Sequence, residues 1–430
     1  MRSESLVSGK RTLFSIAALR KSLLVRNALW LLVGSGLRAS IQGIYFVLIA
    51  RALGPDGYGA FAGVVALVAL ASPFSGLGMG NILIKNVARD RETFGESWGT
   101  GVVAVALSGT LLLLLIVIAS ALILPSAIPV VLVVVVSLSD ILFLKLVDLS
   151  GQAFQAVQQL RETAALPVMV SVFRLFAAIV LLIAGSSSPI TWGMLYCGTS
   201  AIGAVVAIGM VHSRLGAPRF RLAAIDENLK EGLTFSVSLA AQNAYNDLDK
   251  TMLASLSTLG AAGIYAAAYR IVDVSFTPVR ALLFASYARF FEHGAGGVKS
   301  AFAFARRLLP AATTYGIIAS AGLFAGAGLL PAILGSRYVS AADALRWLAL
   351  LPLLKTGHYF VADTLTGSGY QWLRSAIQVL VAAVNVGLNL WLIPLYSWRG
   401  AAWASLASDG LLAVGLWLAF WAVYPRGSSA

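Results

Sequence analysis

The chain has 430 residues, 59% of them hydrophobic and only 11% charged, at a mean hydropathy of +0.85, which excludes a water-soluble globular fold. Its net charge of +13 arises from 31 Lys and Arg against 18 Asp and Glu. The single cysteine, Cys197, excludes an intrachain disulfide, and His212, His293 and His358 are too scattered to make a metal site.

The first 26 residues are basic, with Leu13, Phe14, Ile16, Leu19 and Leu23 at near-helical spacing, and predict a cytoplasmic interfacial helix. A cleaved signal peptide is not expected, because the apolar stretch that follows is too long for an h-region and leads directly into more of its kind. A run of about twenty apolar residues crosses a bilayer core. Between Asn27 and Tyr424 the chain reads as about twelve such spans, at 27–49, 58–80, 99–123, 128–150, 164–184, 190–211, 233–255, 260–287, 309–334, 343–365, 375–395 and 400–424. The fold expected is all-α and integral to the membrane. Two six-helix lobes, 27–211 and 233–430, are separated by a basic cytoplasmic loop at 212–232. With both termini cytoplasmic, twenty Lys and Arg fall inside and only Arg51, Arg337 and Arg399 outside, as the positive-inside rule requires. The basicity is therefore a topology signal with some attraction to anionic lipid heads, and does not point to a nucleic-acid partner.

Six spans per lobe place both lobes in the membrane with the same orientation, related by an axis along the membrane normal. Internal similarity agrees. Leu53-Gly54-Pro55-Asp56-Gly57-Tyr58 matches Leu259-Gly260-Ala261-Ala262-Gly263-Ile264, and Ala153–Gln158 corresponds to Thr364–Gly369 in position and polar-or-glycine character. Paired lobes with a seam between them suit alternating access, in which rigid halves rock about a central site.

A charge facing lipid at mid-membrane costs about 3 kcal/mol, so the intramembrane charges should face the seam, pair, or reach a surface. In span 1, Arg38 has no acid within helical reach. Its planar fork suits phosphate oxygens, or it pairs with an acid of span 4 or 7. In span 4, Lys145 and Asp148 stand three apart and can pair, and Asp148, Gln152, Gln155 and Gln159 form a polar stripe; Asp140 lies higher in this span and Arg174 in span 5. Span 7 holds Gln242, Asn243, Asn246, Asp247, Asp249 and Lys250 within nine residues, suited to hold Na⁺, to exchange a proton, or to form a buried ion pair with amide supports. In span 8, Arg270, Asp273 and Arg280 set one acid against two arginines; facing Arg38 across the seam, they would make an anion clamp. Asp363 and Asp409 are read as isolated and structural, with Arg346 and Lys355 snorkelling or paired locally.

The run Ala50-Arg51-Ala52-Leu53-Gly54-Pro55-Asp56-Gly57-Tyr58-Gly59-Ala60-Phe61, followed by Leu77-Gly78-Met79-Gly80 and Ile84-Lys85, resembles the N-terminal signature of bacterial polysaccharide-biosynthesis membrane proteins. These are the O-antigen-type oligosaccharide-lipid flippases of the multidrug/oligosaccharidyl-lipid/polysaccharide exporter superfamily. Asn389–Tyr396 with Arg399-Gly400-Ala401-Ala402 is similar to the same family's junction between spans 11 and 12. The resemblance covers essentially the whole chain. It implies two lobes in a V, moving undecaprenyl-pyrophosphate-linked sugars between leaflets of the bacterial inner membrane for surface or exopolysaccharide synthesis. It further implies cavity arginines for the pyrophosphate, with Arg38, Arg270 and Arg280 the candidates, and ion coupling (Na⁺ or H⁺) in some members. Membrane lipids, and polysaccharide polymerase or export proteins, are the implied partners. Tyr58–Gly80 has no basic residue where some relatives carry one. A flippase makes and breaks no bonds, so neither cofactor nor nucleophile is expected; amides such as Asn243 and Asn246, and rings such as Tyr245, Tyr265 and Tyr269, would meet the sugar. The rival readings are a multidrug or cation antiporter of the same superfamily, which needs an acidic and aromatic seam, and a polysaccharide polymerase or ligase, which needs a large outward loop.

Overall fold

The computed structural model describes the backbone of residues 5–221 and 223–424, and side chains at residue 30 and from 33 onward, apart from some positions between 222 and 245 and residue 288. The amphipathic side chains expected within residues 1–26, and those of Gln242 and Tyr245, lie outside the described residues.

The chain is built of helices. The longest, α1 (Ser5–Ala71), turns at Gly54, whose φ of 68° breaks the helix before Pro55 and gives it two arms. Then come α2 (Met79–Arg89), α3 (Phe94–Ile123) and α4 (Val130–Ser137). A π-helical turn at Leu138–Phe143 joins α4 to α5 (Leu144–Ala156). The first half closes with α6 (Leu160–Ile183) and α7 (Pro189–Leu215). The second half comprises α8 (Ala223–Leu256), α9 (Leu259–Ser275), α10 (Thr277–Gly294), α11 (Val298–Gly326), α12 (Leu330–Leu334), α13 (Val339–Leu348), α14 (Leu351–Gly367), α15 (Gln371–Tyr396) and α16 (Trp398–Val423). Because α7 runs to Leu215 and α8 begins at Ala223, the expected loop at 212–232 is in large part helical.

Among the described residues, eight helical stretches are long and apolar enough to cross a membrane by length and composition. One of them, Val33–Arg89, has double length and folds back at Gly54. The other predicted spans are α8, α9 with α10, and α13 with α14, whose charges or breaks lower their apolarity. Leu122, Ile183 and Val205 are 89%, 82% and 72% exposed, apolar surface that only lipid would cover.

Separate apolar cores hold each half: Leu83, Phe94, Phe154 and Val170 in the first, Phe290, Phe304, Leu412 and Phe420 in the second. A further core is shared, with Val64, Leu132 and Trp192 of the first half against Tyr265, Leu345 and Ala402 of the second. At this seam the two similar glycine segments pack on one another. A Cβ on Gly59 would collide with the Leu259 carbonyl, and one on Gly263 with that of Pro55. Arg51 donates to the Ala332 carbonyl at 2.8 Å and Tyr338 to that of Ala50 at 3.1 Å, closing this end. Toward the other end, α8 follows the second arm of α1: Thr251 donates to the Gly63 carbonyl at 3.1 Å and Asn243 to that of Ala69 at 2.8 Å.

The second pair of similar segments ends its helices in the same way. The Gln159 amide donates back to Phe154 at 2.9 Å and the Tyr370 amide to Leu365 at 2.8 Å, across Gln158 (φ 64°) and Gly369 (φ 87°). These are equivalent Schellman closures, and only the second has glycine in the left-handed position. Gly369→Gln should therefore lower the unfolding free energy by about 1 kcal/mol, and Gln158→Gly raise it by a similar amount, as measured by thermal unfolding in detergent.

Candidate functional site

Helix periodicity sets the walls of a cavity between the halves. Arg38, Gln42, Tyr45 and Ile49 project from one stripe of the first arm of α1, and Ala266, Arg270 and Asp273 from one stripe of α9. Tyr58, Phe61 and Val65 face the same space from the second arm of α1. Arg174 of α6, Trp192 and Tyr196 of α7, and Asp247 and Lys250 of α8 complete an enclosure of about 310 Å³. The first-half wall is largely aromatic: Phe61, Trp192 and Tyr196 pack with ring centroids 5.3–6.0 Å apart. The second-half wall is charged.

Four cations and two carboxylates line this space, and their partners differ. Lys250 Nζ lies 2.7 Å from Asp247 and 3.7 Å from Asp249, donates to the Asn246 carbonyl at 2.8 Å, and stands 4.4 Å from the Tyr269 ring centre. The buried Arg174 is 3.7 Å from Asp140, donates to Ser200 Oγ at 3.1 Å, and lies 3.8 Å above the Tyr196 ring. Asp273 is held by Arg280 at 2.7 Å. Arg270 bonds a neutral group, Gln42 Oε1, at 3.0 Å. Arg38 is exposed and makes no hydrogen bond or ion pair among the described residues. One guanidinium from each half thus reaches the cavity with no carboxylate within ion-pair distance among the described residues, Asp148 acting on Arg38 only from farther off.

Of the residues singled out in the sequence, Arg38, Arg270, Asp247, Lys250 and Asp273 come together here. Others lie elsewhere. Arg280 is not in the cavity wall and reaches Asp273 from below. Asn243 ties α8 to α1 through Ala69. Asp249 points into the second half, buried, where it accepts from the Tyr265 hydroxyl, which is also 2.8 Å from Ser405 Oγ. Tyr265 and Tyr269 are accordingly internal and do not face the cavity. Lys145 and Asp148 are not within ion-pair distance among the described residues, although Lys145 is the cation that acts most on this carboxylate. Asp148 is exposed, while Lys145 and Gln152 line a hollow of about 40 Å³ beside Gly80. The polar stripe also stops early, since α5 ends at Ala156. Asp363 and Asp409 are not isolated: Arg374 bonds Asp363 at 3.0 Å, and His358 Nε2 lies 2.9 Å from Asp409. Lys355 does not snorkel. It is 2% exposed and donates to the Tyr269 hydroxyl at 2.9 Å.

Gln42 was absent from the sequence candidates although it stands one turn beyond Arg38, the signal that would have found it. The set around Arg174 assembles from three helices and leaves no local spacing to read. Breaking a buried ion pair by removing one partner costs about 3–5 kcal/mol. Arg174→Ala should show a loss of that order in thermal unfolding, and Asp140→Asn combined with Arg174→Gln a clearly smaller one.

The sequence matches the family described as "Polysaccharide biosynthesis protein" over residues 24–278. Among curated proteins none matches it. Among solved structures, the chain is similar to an inward-facing multidrug resistance MATE transporter of the MOP superfamily (TM-score 0.73, 14% identity, 92% of this chain and 100% of that one). It is similar also to the lipid II flippase MurJ in an inward closed conformation (TM-score 0.69, 13% identity, 94% of this chain and 87% of that one). A MOP-superfamily transporter from Pyrococcus furiosus superposes with a TM-score of 0.64 at 12% identity, over 93% of this chain and 96% of that one. At these identities the likeness is one of fold. The chain is therefore a multi-pass membrane protein with the MOP-superfamily fold, and it belongs to the polysaccharide biosynthesis protein family.

Proposed function

We propose that this transporter is a flippase for undecaprenyl-pyrophosphate-linked sugar repeat units. It would carry them from the inner to the outer leaflet of the bacterial inner membrane by alternating access, for surface or exopolysaccharide assembly. The observation that carries this reading is the pair of guanidiniums, Arg38 and Arg270, that enter one cavity from opposite halves without an acidic partner among the described residues. A desolvated guanidinium fork is matched by phosphate oxygens, which accept two parallel hydrogen bonds from it. Both acids of the wall are already paired with cations of the chain, Asp247 with Lys250 and Asp273 with Arg280, which disfavours a cationic cargo.

The mechanism asks only for differential binding. Cargo enters with its lipid tail in the bilayer, the pyrophosphate bridges Arg38 and Arg270, and the aromatic first-half wall offers apolar faces to a sugar ring. Bridging cations on both halves favours their approach, so the anion itself biases the lobes toward a closed arrangement, and its release at the far side reverses that bias. No bond is made or broken, which is the reading of a transporter rather than an enzyme. Coupling to Na⁺ or H⁺ through the acids of α8 belongs to the same proposal, as does hand-over to a polymerase or export partner.

In a strain lacking the gene and any redundant flippase, lipid-linked repeat units should accumulate on the cytoplasmic leaflet and surface polymer should vanish. The wild-type gene should restore polymer. Arg38→Ala and Arg270→Ala should each lower it by about tenfold or more, the scale expected for losing a charge-assisted bond, at normal membrane abundance. Normal polymer in the deletion strain would defeat the proposal.

A further inference from the structure

The carboxylate of Asp273 stands where positive charge is in excess. It lines the cavity one turn beyond Arg270. The break at Phe276, with Pro278 opening α10, lets Arg280 reach back to Asp273 Oδ1 at 2.7 Å although it lies seven residues on. Lys355 and Lys250 also act electrostatically on this carboxylate. Of these cations, Lys250 has Asp247 and Asp249. Lys355 has no carboxylate within ion-pair distance among the described residues; its bonded partner is the Tyr269 hydroxyl. The acid on the other side of Lys355, Asp409, is held by His358 at 2.9 Å. A buried ammonium bonded only to a neutral group needs counter-charge nearby; Asp409 and Asp273 both act on Lys355, and Asp273 is shared between it and Arg280.

We propose that Asp273 is a built-in counter-anion, which occupies the second-half cation cluster when the cavity is empty and competes there with the anionic group of the cargo. The inference rests on the reading that the cargo is anionic. Arrival of a pyrophosphate between Arg38 and Arg270 places like charge near Asp273. The carboxylate is pushed from Arg280 toward Lys355, which has no acid within ion-pair distance among the described residues, and Arg280 is released to the arriving anion. Asp273 thereby lowers affinity for the cargo and speeds its exit, because it is ready to recapture Arg280. A carboxylate with this role is a positioning residue: it acts through the arginines and does not itself bind the anion.

The test uses the full-length protein in detergent micelles with farnesyl pyrophosphate as the probe, following intrinsic tryptophan fluorescence, which includes Trp192 in the cavity wall. Asp273→Asn should bind the probe about tenfold more tightly than wild type, the effect of removing one like charge at partly screened range, and Asp273→Glu should stay within about twofold of it. Asp273→Ser serves as a second neutral variant should the amide disturb folding, judged by monodisperse elution. Arg38→Ala and Arg270→Ala should weaken binding. Unchanged or weaker binding in both neutral variants, with the arginine variants weakened, overturns this inference alone. Binding indifferent to Arg38 and Arg270, or none by wild type, overturns the anionic-cargo reading and this inference with it.

Discussion

A positive charge in hydrocarbon must be given a counter-charge, a polarisable ring, or a route to water, and several of the described cations have the first two. Arg174 has Asp140 and the face of Tyr196; Lys250 has two acids and the face of Tyr269. Arg374 has Asp363, and Arg346 has Asp343. Arg38 and Arg270 have no acid within ion-pair distance among the described residues, and both open onto one enclosed space. In a medium where each uncompensated charge is costly, the function proposed above gives these two a charge that is not part of the protein.

The arrangement of the halves explains how such a space persists. Glycine at the seam lets helix backbones meet directly, Gly59 against Leu259 and Gly263 against Pro55, which is how helices in lipid associate without a hydrophobic driving force. Bonds from side chain to backbone, such as Asn243 to Ala69 and Thr251 to Gly63, hold α8 along α1. Away from these contacts, larger side chains keep the backbones apart and leave the cavity. Each half keeps a core of its own beside the one shared across the seam.

Much of this was legible in the sequence, for identifiable reasons. Spans follow from length and apolarity, and the span containing Arg38 was marked by an unpaired charge. The two glycine segments were similar enough to be matched by eye, and the equivalence of Gln158 with Gly369 survives as an identical turn. What escaped was decided by tertiary partners. Lys145 and Asp148 have the spacing of a pair and act on one another without coming within ion-pair distance. Asp249 sits beside cavity residues in the chain yet turns inward to Tyr265, and Asp409 seemed alone because His358 lies fifty-one positions away. Spacing reports neighbours on one helix; in a bundle of this size most polar partners come from another.

The π-helical turn at Leu138–Phe143 shows how finely this bundle is phased. Its extra residue lets the Ile141 carbonyl accept from Ser75 Oγ at 2.6 Å while Asp140, in the same turn, faces Arg174. Excising its extra residue would restore a regular spiral at nearly the same downstream phase, whereas excising one from the regular helix that follows, at Leu144, would swing everything beyond it by about 100°. Lys145, Asp148 and Gln152 would all leave their present neighbours together. Side chains along this segment are therefore open to exchange in a way that its residue count is not: insertion and deletion, rather than substitution, are the changes that evolution would find forbidden there.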